Sequence, residues 1–315
     1  MKIAFMGTPD FAAGALRALL DAGHEIVCAV TQPDKPRGRG KTVSCSPVKE
    51  LALARGIPVL QPVKIRTPEA VEALRGYDAE LFVVAAFGQI LSSEILQMPK
   101  YGCINIHASL LPKYRGAAPI QQAIIDGETV TGVTIMQMEE GLDTGDILTR
   151  REVPVLPDDT GDSLHDKLME AGASLVVETV PLIERGAVHP QKQDADKATY
   201  AGRLQKAMGK IDWNRDAAAL ARLVRGLHSW PGCYTTFRNK NLKVRAASEG
   251  ADADADAKAP PGTVLRVTKE TIEVQTGRGS LILHSVQPEG KKQMSVRDFL
   301  LGYPVKAGER FGETV

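Results

Sequence analysis

Residues 104–116 read INIHASLLPKYRG. Asn105 and His107 stand two apart at the end of an apolar run that begins at Cys103. In a strand, residues i and i+2 point to the same side, so the amide and the imidazole project together. An amide donor beside an imidazole can stabilise an oxyanion, and the histidine can also move a proton. Neither works without orientation. The expected supplier is EEGLDTGDIL (139–148), where Asp143 lies in a Gly-bounded turn before another apolar run. A carboxylate beside His107 would fix its tautomer. Taken singly, each residue has a plainer explanation: a loop-capping Asn, a core His with satisfied hydrogen bonds, an Asp in an Asx turn. All three at the strand ends of one sheet point to chemistry.

Two loops frame this trio. In SLLPKYRG (109–116), Leu110, Leu111 and Pro112 predict an apolar wall with free backbone amides and carbonyls, suited to a flat heterocycle, with Lys113 and Arg115 at its rim. The loop 32–46, QPDKPRGRGKTVSCS, exceeds the usual βα connection of ~2–6 residues. Its Lys35, Arg37, Arg39 and Lys41 alternate with Pro and Gly, which predicts a mobile cationic arm for phosphates; a solvated loop is the alternative.

The elements that must position these residues alternate along the first 185 positions. KIAFMG (2–7), EIVCAV (25–30), ELFVVAA (80–86), CINI (103–106) and GVTIMQM (132–138) are strand-like. Thr8-Pro9-Asp10, Ser46-Pro47 and Thr67-Pro68 each read as a hydroxyl N-cap followed by proline at the first helical position. Gly23, Gly56 and Gly76 stop those helices. A helix over about 117–126 and a long one from Gly161 to about Arg185 complete the set. This order predicts a Rossmann-like parallel sheet in an α/β domain, with ligands at the carboxyl ends of its strands. Residues 1–188 are expected to form that domain and the polar, irregular 189–207 a linker. Residues 208–315 are expected to form a small OB-like β-barrel, from short β runs such as GTVLRV, TIEVQT and SLILHSV between glycines and prolines. The Ala/Asp-rich 249–262 reads as a flexible loop between two of its strands.

Composition narrows the class. At 315 residues, 43% hydrophobic and 24% charged, the chain is an ordinary globular protein with room for two cores. No apolar run approaches the ~20 residues that span a bilayer, which argues against a membrane protein. Four cysteines without paired spacing suggest a reducing cytoplasm. Six histidines without HxH or HExxH argue against a metal site. MGTPDF is no dinucleotide fingerprint, since Pro9 and Asp10 sit where amides should meet a pyrophosphate. The formal charge of +1 conceals an asymmetry: residues 203–248 hold ten Lys/Arg against two acids. Lys206, Lys210 and Lys243 belong to that basic segment. It fits a polyanionic partner, or a solvated basic face.

With these pieces placed, the chain resembles the methionyl-tRNA formyltransferase family nearly end to end. The stretches are FMGTPDFA, TQPDKPRGRG, SPVK, GCINIHASLLPKYRGAAPIQQAI, TGVTIMQMEEGLDTGDIL, IDW and PEGKKQMS. NIH…SLLP…YRGA with GLDTGD marks the wider group of 10-formyltetrahydrofolate-using transferases, which includes glycinamide ribonucleotide transformylase and sugar N-formyltransferases. The PDKPRGRGK loop with a basic C-terminal barrel is what suggests tRNA. The resemblance implies a catalytic trio of Asn105, His107 and Asp143, and folate binding at Ser109, Leu110, Leu111 and Pro112. It implies tRNA contact at Arg39, the family's loop arginine; Lys35, Arg37 and Lys41 of the same basic loop, and Lys206, Lys210 and Lys243 of the basic segment, are expected to follow the tRNA backbone. It further implies 10-formyltetrahydrofolate as co-substrate, no metal, and formyl transfer to the methionine α-amine of initiator Met-tRNA. A sugar or nucleotide formyltransferase, and a folate-binding or folate-hydrolysing protein, share the trio and stay open. The Ala/Asp insertion at 249–262 departs from the family pattern.

Overall fold

The computed structural model describes residues 1–37, 42–251 and 259–312. The chain divides into two compact units. One contains Met1–Pro119, Val130–Pro154 and His165–Ala201; the other contains Ile120–Thr129, Val155–Leu164 and Gly202–Val315.

The first unit is built on a seven-stranded sheet. Its strands are β1 (Lys2–Gly7), β2 (Glu25–Val30), β3 (Val59–Leu60), β4 (Leu81–Ala85), β5 (Cys103–His107), β6 (Val130–Gln137) and β7 (Ile147–Pro154), in the order β7-β6-β5-β4-β1-β2-β3. Every residue of β4, LFVVA, is buried, as a strand covered on both faces must be. The five strands from β5 to β3 are parallel neighbours. The last two depart from the all-parallel expectation. β6 runs antiparallel to β5, and β7 antiparallel to β6. The end of β6 therefore lies beside the beginning of β5, with Gln137 opposite Ile104 and Thr134 opposite His107.

The helices are α1 (Asp10–Asp21), α2 (Pro47–Ala54), α3 (Pro68–Arg75), the single turn α4 (Ser93–Leu96), α5 (Pro119–Asp126) and α6 (Gly161–Glu184). Ser46 and Thr67 cap α2 and α3 as expected, accepting from the amides of Lys49 and Ala70. Thr8 does not cap α1. Pro9 holds that position, and its carbonyl takes the amides of Ala12 and Ala13. The Thr8 hydroxyl accepts instead from the amide of Gln32, tying the end of β1 to the end of β2. One face of the sheet packs Ala4, Met6, Phe82 and Val84 against Val71, Leu74 and Ile95. α6 approaches β5 and β6 so closely at Gly172 that a Cβ there would stand 3.0 Å from Ile106 Cγ2 and 3.4 Å from Val133 Cγ1. Ile106 alternates with Asn105 and His107, so α6 lies on the face opposite those two side chains.

The second unit carries an antiparallel sheet of β8 (Cys233–Phe237), β9 (Lys240–Glu249), β10 (Val264–Val267), β11 (Ile272–Gln275), β12 (Ser280–Pro288) and the short β13 (Met294–Ser295). The order is β8-β9-β12-β11-β10, with β13 pairing β12. This is the small barrel-like β domain expected after the α/β unit. α7 (Ala217–Gly226) contributes Leu220, Leu223 and Val224 to its core, and α8 (Val296–Gly302) contributes Val296 and Phe299. Trp213 of IDW is buried there and donates its indole N–H to Thr235 Oγ1 at 3.0 Å. Residues 252–258 of the Ala/Asp-rich stretch lie outside the described residues.

The close approach at Gly172 makes a stability prediction. Gly172→Leu overpacks the seam between α6 and β5, at a cost of about 1–3 kcal/mol. The urea midpoint should fall with little change in slope.

Candidate active site

Asn105 and His107 lie on β5, with His107 its last residue. Met136 and Thr134 stand directly opposite them on β6. His107 is buried, at 5% exposure. Its Nε2 lies 2.9 Å from the carbonyl oxygen of Tyr114. A carbonyl only accepts, so Nε2 carries the proton in that contact. Its Nδ1 lies 3.7 Å from Asp143 Oδ2. The structure thus brings the imidazole and the carboxylate together, from a strand end and from the loop between β6 and β7. Asn105 is half-buried on the same strand face.

The antiparallel run of β6 starts the Asp143 loop beside the beginning of β5, and specific bonds hold Asp143 against His107. The amide of Gly116 donates to Asp143 Oδ2 at 2.8 Å. Asp143 itself is left-handed, at φ +52°. Gln193 Nε2 donates to the carbonyls of Asp143 at 2.8 Å and Gly145 at 2.7 Å. Gln193 Oε1 accepts from Arg115 Nε at 3.1 Å and Nη2 at 2.8 Å. Arg115 is 5% exposed, so it does not stand at a pocket rim. Its charge and length are used inward, to hold Gln193.

Gln193 belongs to a strap, residues 191–201, inside the stretch read from sequence as a linker. Gln191 exchanges backbone hydrogen bonds with Ile147, at 2.8 and 2.9 Å. Thr199 Oγ1 accepts from the amide of Tyr114 at 2.8 Å, and the Thr199 carbonyl accepts from the amide of Arg115 at 2.8 Å. Tyr200–Ala201 pairs in parallel with Arg115–Gly116. A Cβ on Gly116, at φ +115°, would come within 2.6 Å of the Ala201 carbonyl oxygen, so only glycine lets the strap close here. Gln193 and Thr199 were not legible as site residues, because a polar irregular stretch carries no periodicity; Thr134 and the Tyr114 carbonyl were not, because their roles depend on which strand and loop the fold sets beside His107.

Residues 1–180 match the family described as formyl transferase, and residues 203–304 match the formyl transferase C-terminal domain. The chain belongs to the formyl transferase family. It is 50% identical to the methionyl-tRNA formyltransferase of Agathobacter rectalis over 99% of both chains. It is 49% identical to the methionyl-tRNA formyltransferase of Bacillus subtilis, over 99% of this chain and 98% of the other. Among solved structures it is similar in fold to WlaRD, a sugar 3N-formyl transferase crystallised in the presence of dTDP and 5-N-formyl-THF. That match has a TM-score of 0.68 at 19% identity and covers 93% of this chain and 99% of that one.

The remaining expected residues of this formyltransferase are placed as follows. Ser109 is fully buried and donates its hydroxyl to the Lys113 carbonyl at 2.6 Å. Leu111 turns inward and packs with Met136 and Ile147, while Leu110 is half-buried. Thr134 pins this loop over β6: its hydroxyl accepts from the Leu111 amide at 3.2 Å and donates to the Ser109 carbonyl at 2.7 Å. Lys35 and Arg37 lie in a short ribbon, Lys35–Arg37 against Thr42–Ser44, and Arg39 and Lys41 lie outside the described residues. The stem of that ribbon is a polar cluster. Lys49 Nζ donates to Asp34 Oδ2 at 2.5 Å and to Gln61 Oε1 at 2.7 Å, and Gln61 Nε2 donates to Asp34 Oδ1 at 2.9 Å. The Lys49 hydrogen bond holds the Asp34 carboxyl below the usual carboxylate range. The link is complete at neutral pH and is lost as pH falls through that lowered range.

In the second unit, Lys210 forms an isolated backbone bridge to Tyr234, and Tyr234 stands opposite Lys243 in the β8–β9 pairing, so the backbones of both lysines border that tyrosine. Lys206 is exposed four residues before Lys210. The thiols of Cys28, Cys103 and Cys233 are pushed up to about 12 by burial, which removes them as nucleophiles at neutral pH. Among the described residues, no group of three or more His, Cys, Asp or Glu is placed to hold a metal ion. None of the described helices is long and apolar enough to cross a membrane.

Thr134 is fully buried, so its two bonds have no water to replace them. Thr134→Val keeps the shape and strands the Leu111 amide and the Ser109 carbonyl. The expected loss is about 1–3 kcal/mol of unfolding free energy, read by urea titration.

Proposed function

We propose that this formyltransferase moves the formyl group of 10-formyltetrahydrofolate to the α-amine of methionine on initiator Met-tRNA, giving formylmethionyl-tRNA for translation initiation. The observation that carries the reading is half identity, over nearly the full length of both chains, to proteins called methionyl-tRNA formyltransferase. The pairing of His107 with Asp143 supports it.

The geometry supports the following roles. The neutral amine attacks the formyl carbon. Asn105 and His107, the latter in its protonated form, stabilise the oxyanion of the tetrahedral intermediate. The bond from that carbon to the folate nitrogen then breaks. The departing nitrogen takes a proton as the amine loses one, with Asp143 as the relay, directly or through water. Because Nε2–H is committed to the Tyr114 carbonyl, Nδ1 is the ring nitrogen that faces the reaction. The transfer as written requires no metal. The folate is assigned to Ser109, Leu110, Leu111 and Pro112, and Leu142, 62% exposed beside Asp143, offers it a further apolar surface.

Residues 1–188, closed by the strap 191–201, are assigned the chemistry, and 208–315 the tRNA backbone. Lys35, Arg37, Arg39 and Lys41 are assigned to its acceptor end, and Lys206, Lys210 and Lys243 to its phosphates. Such a substrate places the protein in the cytoplasm.

Incubation with 10-formyltetrahydrofolate and Met-tRNA, a nucleotide amino sugar, or water alone tests the assignment. The expected outcome is formylation of Met-tRNA only. Transfer to the nucleotide sugar, or formate release into water at the same rate, overturns it. Asn105→Ala, His107→Ala and Asp143→Ala should each lower turnover by about 10²–10³-fold with tRNA affinity retained.

Affinity for tRNA should fall with salt at roughly −0.7 to −0.9 log units per phosphate contact. Neutralising Lys206, Lys210 and Lys243 together should flatten that slope by about 2 units. An unchanged slope would return the basic segment to a solvated face.

A further inference from the structure

Gln193 uses every polar atom of its amide. Both N–H groups are spent on the carbonyls of Asp143 and Gly145, and the oxygen on two N–H groups of Arg115. Those partners are one-sided: guanidinium only donates and a carbonyl only accepts. Glutamate would turn an oxygen toward two carbonyl oxygens, lysine would face a buried guanidinium, and leucine would leave all four groups unmet. The position therefore demands an amide at this reach. What the amide holds is the turn that carries Asp143, whose backbone sits in the left-handed region beside His107.

We propose that Gln193, seated by Arg115, is a positioning residue for formyl transfer. It fixes the 143–145 turn so that the Asp143 carboxylate stays against Nδ1 of His107. This rests on the roles assigned to His107 and Asp143 above. Released from Gln193, the turn keeps the Gly116 amide on Oδ2 but loses the two backbone anchors, at Asp143 and Gly145, that flank Thr144. A misplacement of about 1 Å at a reacting group can cost on the order of 10²-fold in rate.

The test uses Gln193→Leu and Gln193→Glu in the full chain, the second keeping a partner for Arg115. Imidazole ¹⁵N spectra of the folded protein give a readout that needs no substrate. Each Gln193 variant should move the His107 resonances in the direction that Asp143→Ala moves them, with the other five histidines unmoved. With Met-tRNA, the turnover number should fall about 10²-fold while the dissociation constant of a non-reacting formylfolate analogue stays within about twofold of wild type. In an Asp143→Ala background, Gln193→Leu should add little further loss, since the group it positions is gone. Unmoved His107 resonances in either folded variant overturn the proposal. So does wild-type turnover, or an equal loss in both backgrounds, which would mark general loosening. If the wild-type enzyme does not formylate Met-tRNA, the substrate assignment fails, and the spectra still decide the role of Gln193.

Discussion

A buried imidazole with a carbonyl acceptor at one nitrogen and a carboxylate 3.7 Å from the other is the constraint around which the first unit is arranged. His107 cannot find those oxygens on its own strand. One comes from Tyr114, in the loop that leaves β5, and the other from Asp143, in the loop that leaves β6. Neither loop is fixed by its strand alone. Thr134 pins the first from beneath, and the strap 191–201 binds both from the side. The sheet supplies a rigid base for the histidine, and the loops are held to that base by hydrogen bonds between groups with little access to water. Such bonds are costly to break because the freed groups stay buried.

The division of labour along the chain follows from what each segment has to satisfy. Strands covered on both faces need only be apolar and of the right length, and β4 is that along its whole length. The antiparallel β6 and β7 serve another purpose. The reversal of β6 sets Thr134 opposite His107 and Met136 opposite Asn105, so the floor beneath the SLLP loop comes from a strand running the other way. An all-parallel edge would have delivered different residues to that floor.

The elements legible in the sequence were those with period or punctuation. The strand read at 103–106, one residue short of its actual end at His107, the caps at Ser46 and Thr67 and the long helix from Gly161 all announce themselves locally. The proximity of His107 and Asp143 was legible from a similar local cue, because two residues two apart on a strand and an acid in a Gly-bounded turn are visible without a fold. The direction of β6 was not legible, since strand pattern is the same read either way. Thr8 looked like a cap and is a cross-strand tie, because the Gln32 amide competes for its oxygen. Arg115 looked like a rim residue, because nothing near it in sequence shows that an amide 78 positions later meets it in the interior. The strap itself reads as linker because, apart from one short turn over Ala195–Lys197, the bonds that seat it run to distant residues.

The strap also sets when the site can first exist. Asn105, His107 and Asp143 all precede it, and so do all seven strands of the sheet. Their final clamp arrives only with residues 191–201, the last stretch of the first unit before Gly202 opens the long run of the second. On a ribosome, the sheet is fully synthesised before the turn carrying Asp143 is fastened, and the fastening segment is followed directly by the basic segment that begins at Arg203. A fragment cut at the end of α6 would carry the whole trio and none of the strap. The boundary of the working enzyme therefore falls beyond the boundary of its core.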